Sequence, residues 1–313
     1  MRKKEMRSFL VAFVLTLLLY FVLAFMMSTG MLNYWYSGLI ILACINIVLA
    51  VSLNLAAGYL GQLTLGHAGF MAVGAYVSAI LTMNYQVPFF IAILIAAVAS
   101  AIVGLIIGIP TLRIRGDYLC IITLAFNEII RVILLNLDIT RGAKGLRGIP
   151  METNFEVAFL GAVITIFIIY EIVKSRFGRA IISIKEDETA SELSGISVSY
   201  YKILAFVISA FFAGIAGGLY AHYMGMLIPG SFDYNKSVEI LVMVVLGGLG
   251  SLKGSVIAAI VMTFLPELLR SFSDYRMLLY AIALIAVMII KEKNIIGIIK
   301  SKFFPKKSGE VAE

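Results

Sequence analysis

The stretch PFFIAILIAAVASAIVGLIIGIP, residues 88–110, contains no charged side chain, and it is one piece of a longer charge-free run. Between Arg7 and Arg113 no Asp, Glu, Lys or Arg occurs, over the 105 residues from 8 to 112. The whole chain has 313 residues, 61% of them hydrophobic and 14% charged, whereas an ordinary soluble domain is about a quarter charged. A soluble core cannot be assembled from such a run, because each buried element would still need a polar outer face. Lipid removes that need, since a helix satisfies its own backbone polar groups and can be apolar all round. The sequence therefore predicts an all-α polytopic membrane protein, a single transmembrane domain over 1–313.

Working outward, segments of about 20 apolar residues separated by polar residues, Gly or Pro give about ten spans: 9–27, 38–57, 65–83, 88–110, 118–135, 155–173, 201–224, 237–249, 254–270 and 276–290. The start Met1-Arg2-Lys3-Lys4 imitates a signal peptide, but 9–27 is long enough to span and lacks a clear small-x-small cleavage site, so it reads as an uncleaved first span. With the N-terminus inside, the inner segments carry 18 Lys plus Arg and the outer ones six, which places both termini in the cytoplasm. The net charge of +7 follows from this bias; no basic helix interleaved with aromatics suggests nucleic acid. Cys44 and Cys120 lie far apart in apolar stretches without metal-ligand spacing, and neither a disulfide nor a metal is assigned.

Small residues from Leu65-Gly66-His67-Ala68-Gly69 to Gly74-Ala75 predict close helix packing. Gly58-Tyr59-Leu60-Gly61-Gln62-Leu63 is echoed by Gly247-Gly248-Leu249-Gly250-Ser251-Leu252. Transporter folds often carry internal repeats, and a Gly- and Leu-rich chain can also produce such an echo by chance. No phosphate-binding Gly-rich loop, HExxH pair, CxxC or nucleophile elbow occurs. His67 and His222 are the two histidines. No catalytic residue is assigned, and transport or conduction is the expected class.

The segment 174–202 is the one long, strongly charged stretch between spans. Arg179 to Ser194 can form an amphipathic helix closed by Gly195, with Ile181, Ile184, Leu193 and Ile196 apolar and Lys185, Glu186, Asp187, Glu188 and Glu192 solvated. Anionic lipid would repel Glu186-Asp187-Glu188, so a protein partner explains this inner helix better than the membrane surface does. The outer loop 136–154 carries Arg141, Lys144 and Arg147 among Gly142, Gly145 and Gly148 and reads as a mobile basic loop. Glu128 and Arg131 stand three apart in one span and are expected to pair, facing the bundle interior.

Several of these motifs, in order, resemble the branched-chain amino acid permease family of ABC importers, in its LivM-like branch. They are Asn54-Leu55-Ala56-Ala57-Gly58-Tyr59 with Leu65-Gly66-His67-Ala68-Gly69-Phe70, Arg115-Gly116-Asp117-Tyr118 with Thr123-Leu124-Ala125-Phe126, Gly145-Leu146-Arg147-Gly148-Ile149-Pro150, Phe177-Gly178-Arg179-Ala180, Glu186-Asp187-Glu188, Leu193-Ser194-Gly195-Ile196, and Val245-Leu246-Gly247-Gly248-Leu249-Gly250-Ser251. The sequence departs from the generic Glu-Ala-Ala-x-x-x-Gly importer motif, because Glu188-Thr189-Ala190 stands one residue too far from Gly195.

The resemblance implies a permease subunit in a bacterial or archaeal cytoplasmic membrane. It would work with a second, LivH-like permease, two cytoplasmic ATPases that use the ATP, and an extracytoplasmic amino acid binding protein; this chain itself would bind no cofactor. Gly178, Arg179, Lys185, Glu186, Asp187, Glu188 and Gly195 are then candidates for ATPase coupling. Asn54, Gln62, His67, Glu128 and Arg131 are candidates for the translocation path, and Arg141, Lys144 and Arg147 for docking of the binding protein. A urea or short-chain amide importer permease, and a solitary ion-coupled carrier, are the alternatives.

Overall fold

A computed structural model describes residues 16–27, 29, 33–111, 118–269 and 285. The chain divides into two units, 1–260 and 261–313, and the described part of the second is chiefly the last turns of one helix. In chain order the helices are α1 (Thr16–Met27), α2 (Tyr34–Asn54, continued by a π-turn, Leu55–Tyr59), α3 (His67–Asn84), α4 (Phe89–Thr111), α5 (Tyr118–Asn136), α6 (Phe155–Lys174), α7 (Arg176–Glu186), α8 (Glu188–Leu193), α9 (Val198–Met224), α10 (Tyr234–Gly247) and α11 (Leu252–Leu268).

Five of these segments are long and apolar enough to cross a membrane: 34–59, 89–111, 118–136, 155–174 and 198–224. The family of ten spans is therefore not reproduced as ten equal helices. The expected eighth span is α10, whose 14 residues extend about 21 Å at 1.5 Å per residue, less than the hydrocarbon thickness of about 30 Å. The tenth span apart from residue 285, Arg113, Arg115 and both chain ends fall outside the described residues, and so does the bulk of the charge count behind the orientation.

α9 is the hub of the first unit and packs against α2, α3, α4 and α6. The small-residue run works as expected: a side chain on Gly74 of α3 would overlap the backbone of Gly214 in α9, and one on Gly217 would overlap Met71. Backbone-to-backbone approach of this kind supplies dispersion contacts where lipid offers no hydrophobic driving force. α2 is 78% buried along its apolar window, whereas α5 and α6 are each 22% buried.

The loop expected to be mobile is tied down. After α5 come two 3-10 turns, Asp138–Thr140 and Gly142–Lys144. A strand β1 (Leu146–Arg147) then pairs antiparallel with β2 (Met226–Leu227), just beyond α9, and Ile149 N–H donates to the Gly225 carbonyl at 3.1 Å.

Candidate functional site

The charged segment is built as a clamp. Ser175 caps α7, its hydroxyl accepting from the N–H groups of Phe177 at 3.1 Å and Gly178 at 3.4 Å. Gly178 sits where any Cβ would overlap the Ile172 and Val173 carbonyls of α6. Arg179 donates to the Lys174 carbonyl at 3.1 Å, satisfying one of the acceptors that the end of α6 leaves open. Ile181 and Ile184 are buried.

The single helix expected from Arg179 to Ser194 is not formed. At Asp187 the backbone turns to φ −154°, and the Asp187 carboxylate accepts from Ala190 N–H at 2.9 Å, starting a second helix, α8. Gly195 does close α8: its φ is +83°, Ile196 N–H reaches the Ser191 carbonyl and Gly195 N–H the Glu192 carbonyl, the Schellman arrangement.

Solvation also differs from expectation. Glu188 pairs with Lys202 of α9 at 2.9 Å, and the Lys202 side chain is only 5% exposed. Leu193, expected to make apolar contacts, is 85% exposed. Lys185, Glu186, Asp187 and Glu192 are exposed as expected, so the outward surface of the segment is three acids and a lysine beside a leucine.

The path candidates lie in three places. Asn54 is buried at the start of the π-turn, where its Oδ1 accepts from Gly250 N–H at 2.9 Å while Nδ2 has no partner; the Gln62 Oε1 nearby in sequence is likewise buried without one. His67 is 1% exposed and hydrogen-bonded to Ser52 Oγ at 2.9 Å. Glu128 and Arg131 pair at 2.7 Å with side chains 28% and 29% exposed. They do not face the interior as expected. The inner stripe of α5 is Thr123, Asn127, Ile130 and Leu134, and the ion pair occupies its flank. Among the described residues no hydrogen bond or ion pair joins these three places. Arg141, Lys144 and Arg147 are all exposed, the first two on a hollow of about 490 Å³ that runs from Leu135 to Lys144.

A polar seam through the bundle was not foreseen. Ser209 of α9 donates to the Ser52 carbonyl at 2.7 Å. The first turn of α3 is held by side chains of other helices: Leu65 N–H donates to Thr123 Oγ1 at 3.0 Å and Ala68 N–H to Ser237 Oγ at 3.1 Å. Ser237 in turn meets Asn127, whose amide donates to the Phe232 carbonyl at 3.3 Å. Asn127 could have been found by period, since it falls four residues after Thr123 and seven before Leu134, on one helical face.

Residues 35–289 match the family model described as branched-chain amino acid transport system / permease component. The chain belongs to this permease family. It is 35% identical to the LivM high-affinity branched-chain amino acid transport system permease protein of Salmonella typhimurium, over 87% of this chain and 71% of that protein. It is 36% identical to the Escherichia coli LivM protein with the same coverage. The LivH permease protein of Escherichia coli is 31% identical over 45% of each chain. No solved structure matches. As a member of this permease family the chain is a multi-pass, all-α membrane protein, and the clamp of α6, α7 and α8 is its most highly charged described feature between membrane helices.

Proposed function

We propose that this chain is the membrane-spanning permease subunit of an ATP-driven importer of branched-chain amino acids. It would lie in the cytoplasmic membrane of a bacterium or archaeon, with about ten spans and both termini in the cytoplasm. Its partners are a LivH-like permease, two cytoplasmic ATPases that hydrolyse the ATP, and an extracytoplasmic binding protein that docks near Arg141, Lys144 and Arg147.

The observation that carries this reading is the α7–α8 clamp. Gly178 and Arg179 fix α7 to α6, and Lys202 fixes Glu188 to α9. The segment thus grips two long helices and offers Glu186, Glu192 and Leu193 to a partner. A rigid acidic and apolar knob is suited to a groove on an ATPase, whose closure would then tilt α6 and α9 together. The Glu128–Arg131 flank borders the translocation path, because a charge at mid-membrane costs about 2.5–3.5 kcal/mol unless it is paired, wet or covered by protein. Asn54 and Gln62 lie at the path's inner end, and His67 serves as a core tie.

The test is uptake by proteoliposomes containing both permeases and the ATPases, with binding protein and leucine outside. Accumulation that requires ATP and all subunits is the expected outcome. Accumulation by this chain alone under a proton or sodium gradient would replace the reading with a solitary carrier, and uptake of urea in preference to leucine would reassign the substrate.

A further inference from the structure

The two echoed turns meet in space, and one lysine touches both. The Lys185 stem lies on the bare Cα of Gly61, where an added Cβ would come within 2.9 Å of Lys185 Cγ. The Lys185 ammonium lies by the turn between α10 and α11, where a Cβ on Gly250 would be 3.8 Å from Nζ. Gly61 and Gly250 occupy the same place in the echo and share the left-handed conformation, at φ +78° and +85°. The turns are joined directly by the Asn54–Gly250 hydrogen bond, and a side chain on Gly58 would overlap both Asn54 and the Gly250 nitrogen.

Resting on the ATP-driven reading above, we infer that Lys185 is the positioning residue through which the clamp acts on both glycine turns at once. The start of α7 is pinned to α6 at Gly178, so a tilt of this helix displaces its far end most. Lys185 is at that far end, one residue before the helix stops. Its ammonium also sits by the turn that follows the carbonyl end of α10, where the helix dipole favours a cation. Displacing Lys185 therefore loads the two turns together and pulls on the Asn54–Gly250 hydrogen bond that joins them.

The experiment compares ATP hydrolysed per leucine transported in the full reconstituted complex. Lys185→Ala should assemble normally and hydrolyse ATP, yet raise that ratio by about tenfold, within the ordinary range of coupling free energies. Lys185→Arg, keeping both stem and charge, should remain within about twofold of the parent. A normal ratio in Lys185→Ala, or equal losses of hydrolysis and transport as structural damage would give, overturns the inference. Should Lys185→Ala not assemble, Lys185→Gln is judged by the same ratio. Failure of the importer reading looks different: the parent complex would then transport without ATP, whatever residue stands at 185.

Discussion

Arg131 holds Glu128 through Nε and Oε2 at 2.7 Å, while Glu128 Oε1 is buried without a partner. A buried acceptor left unsatisfied costs about 1–3 kcal/mol, so the pair is not arranged for stability alone. Exchanging the charges, with Glu128→Arg and Arg131→Glu together, should keep thermal stability in detergent within about 1 kcal/mol, because an i,i+3 pair remains. Glu128→Gln alone should destabilise the helix by leaving the guanidinium uncompensated, though by less than the about 3–5 kcal/mol of a fully buried pair, because both side chains are over a quarter exposed. Loss of transport in the stable exchange variant would place the pair on the path; normal transport would make it a structural tie. The pairing was legible because two charges three apart in a charge-poor span have few other choices. Asn127 was legible only through its period with Thr123 and Leu134, because a single amide adds no charge to the span.

Among the elements, the break between α7 and α8 has a local cause that the sequence did contain. Asp187 is a strong N-cap type, and acidic groups are favoured at the start of a helix and disfavoured at its end. The run Glu186-Asp187-Glu188 is thus poorly placed inside one helix and well placed at the start of another. Apolar residues on both sides of the junction concealed it, although Leu193 would fall about 180° from Ile184 around one continuous helix. Asp187→Ala should cost α8 about 1 kcal/mol of stability, seen as faster hydrogen exchange at Ala190 and at Glu192; unchanged exchange would mean that the Glu188–Lys202 pair alone sets α8. In the loop beyond α5, neutralising Arg141, Lys144 and Arg147 should slow docking of the binding protein and flatten its salt dependence. The β1–β2 ladder uses backbone groups and should survive that triple change, so an unchanged docking rate at low salt would leave the loop a connector.

For the molecule as a whole, the fold class was legible because lipid tolerates few alternatives to all-helical spans. The count of spans was less so, because hydropathy registers apolar length and cannot see that α3 begins on side chains of other helices, Thr123 and Ser237, while α10 begins on its own N-cap, Asp233. The sparse burial of α5 then makes a prediction about its surroundings. Leu124, Glu128, Arg131 and Leu135 form one half-buried flank, while Ile129 and Ile133 are exposed on another. In the assembled importer, cysteines at 124 and 135 should react with a membrane-impermeant maleimide, and cysteines at 129 and 133 should resist it. Equal protection at all four would remove the path from this side of α5.

The π-turn at Leu55–Tyr59 is an α-helix carrying one surplus residue, with Leu60 N–H reaching back five places to the Leu55 carbonyl. Its length is therefore a phase setting. Adding or deleting one residue in the regular winding of α2 before it would rotate everything that follows by about 100°, carrying Gly61 away from Lys185 without altering any side chain at the contact. Deleting the surplus residue itself would instead remove the wide turn. Surface loops absorb insertions readily, whereas α2 and its π-turn should reject even a single-residue change in length.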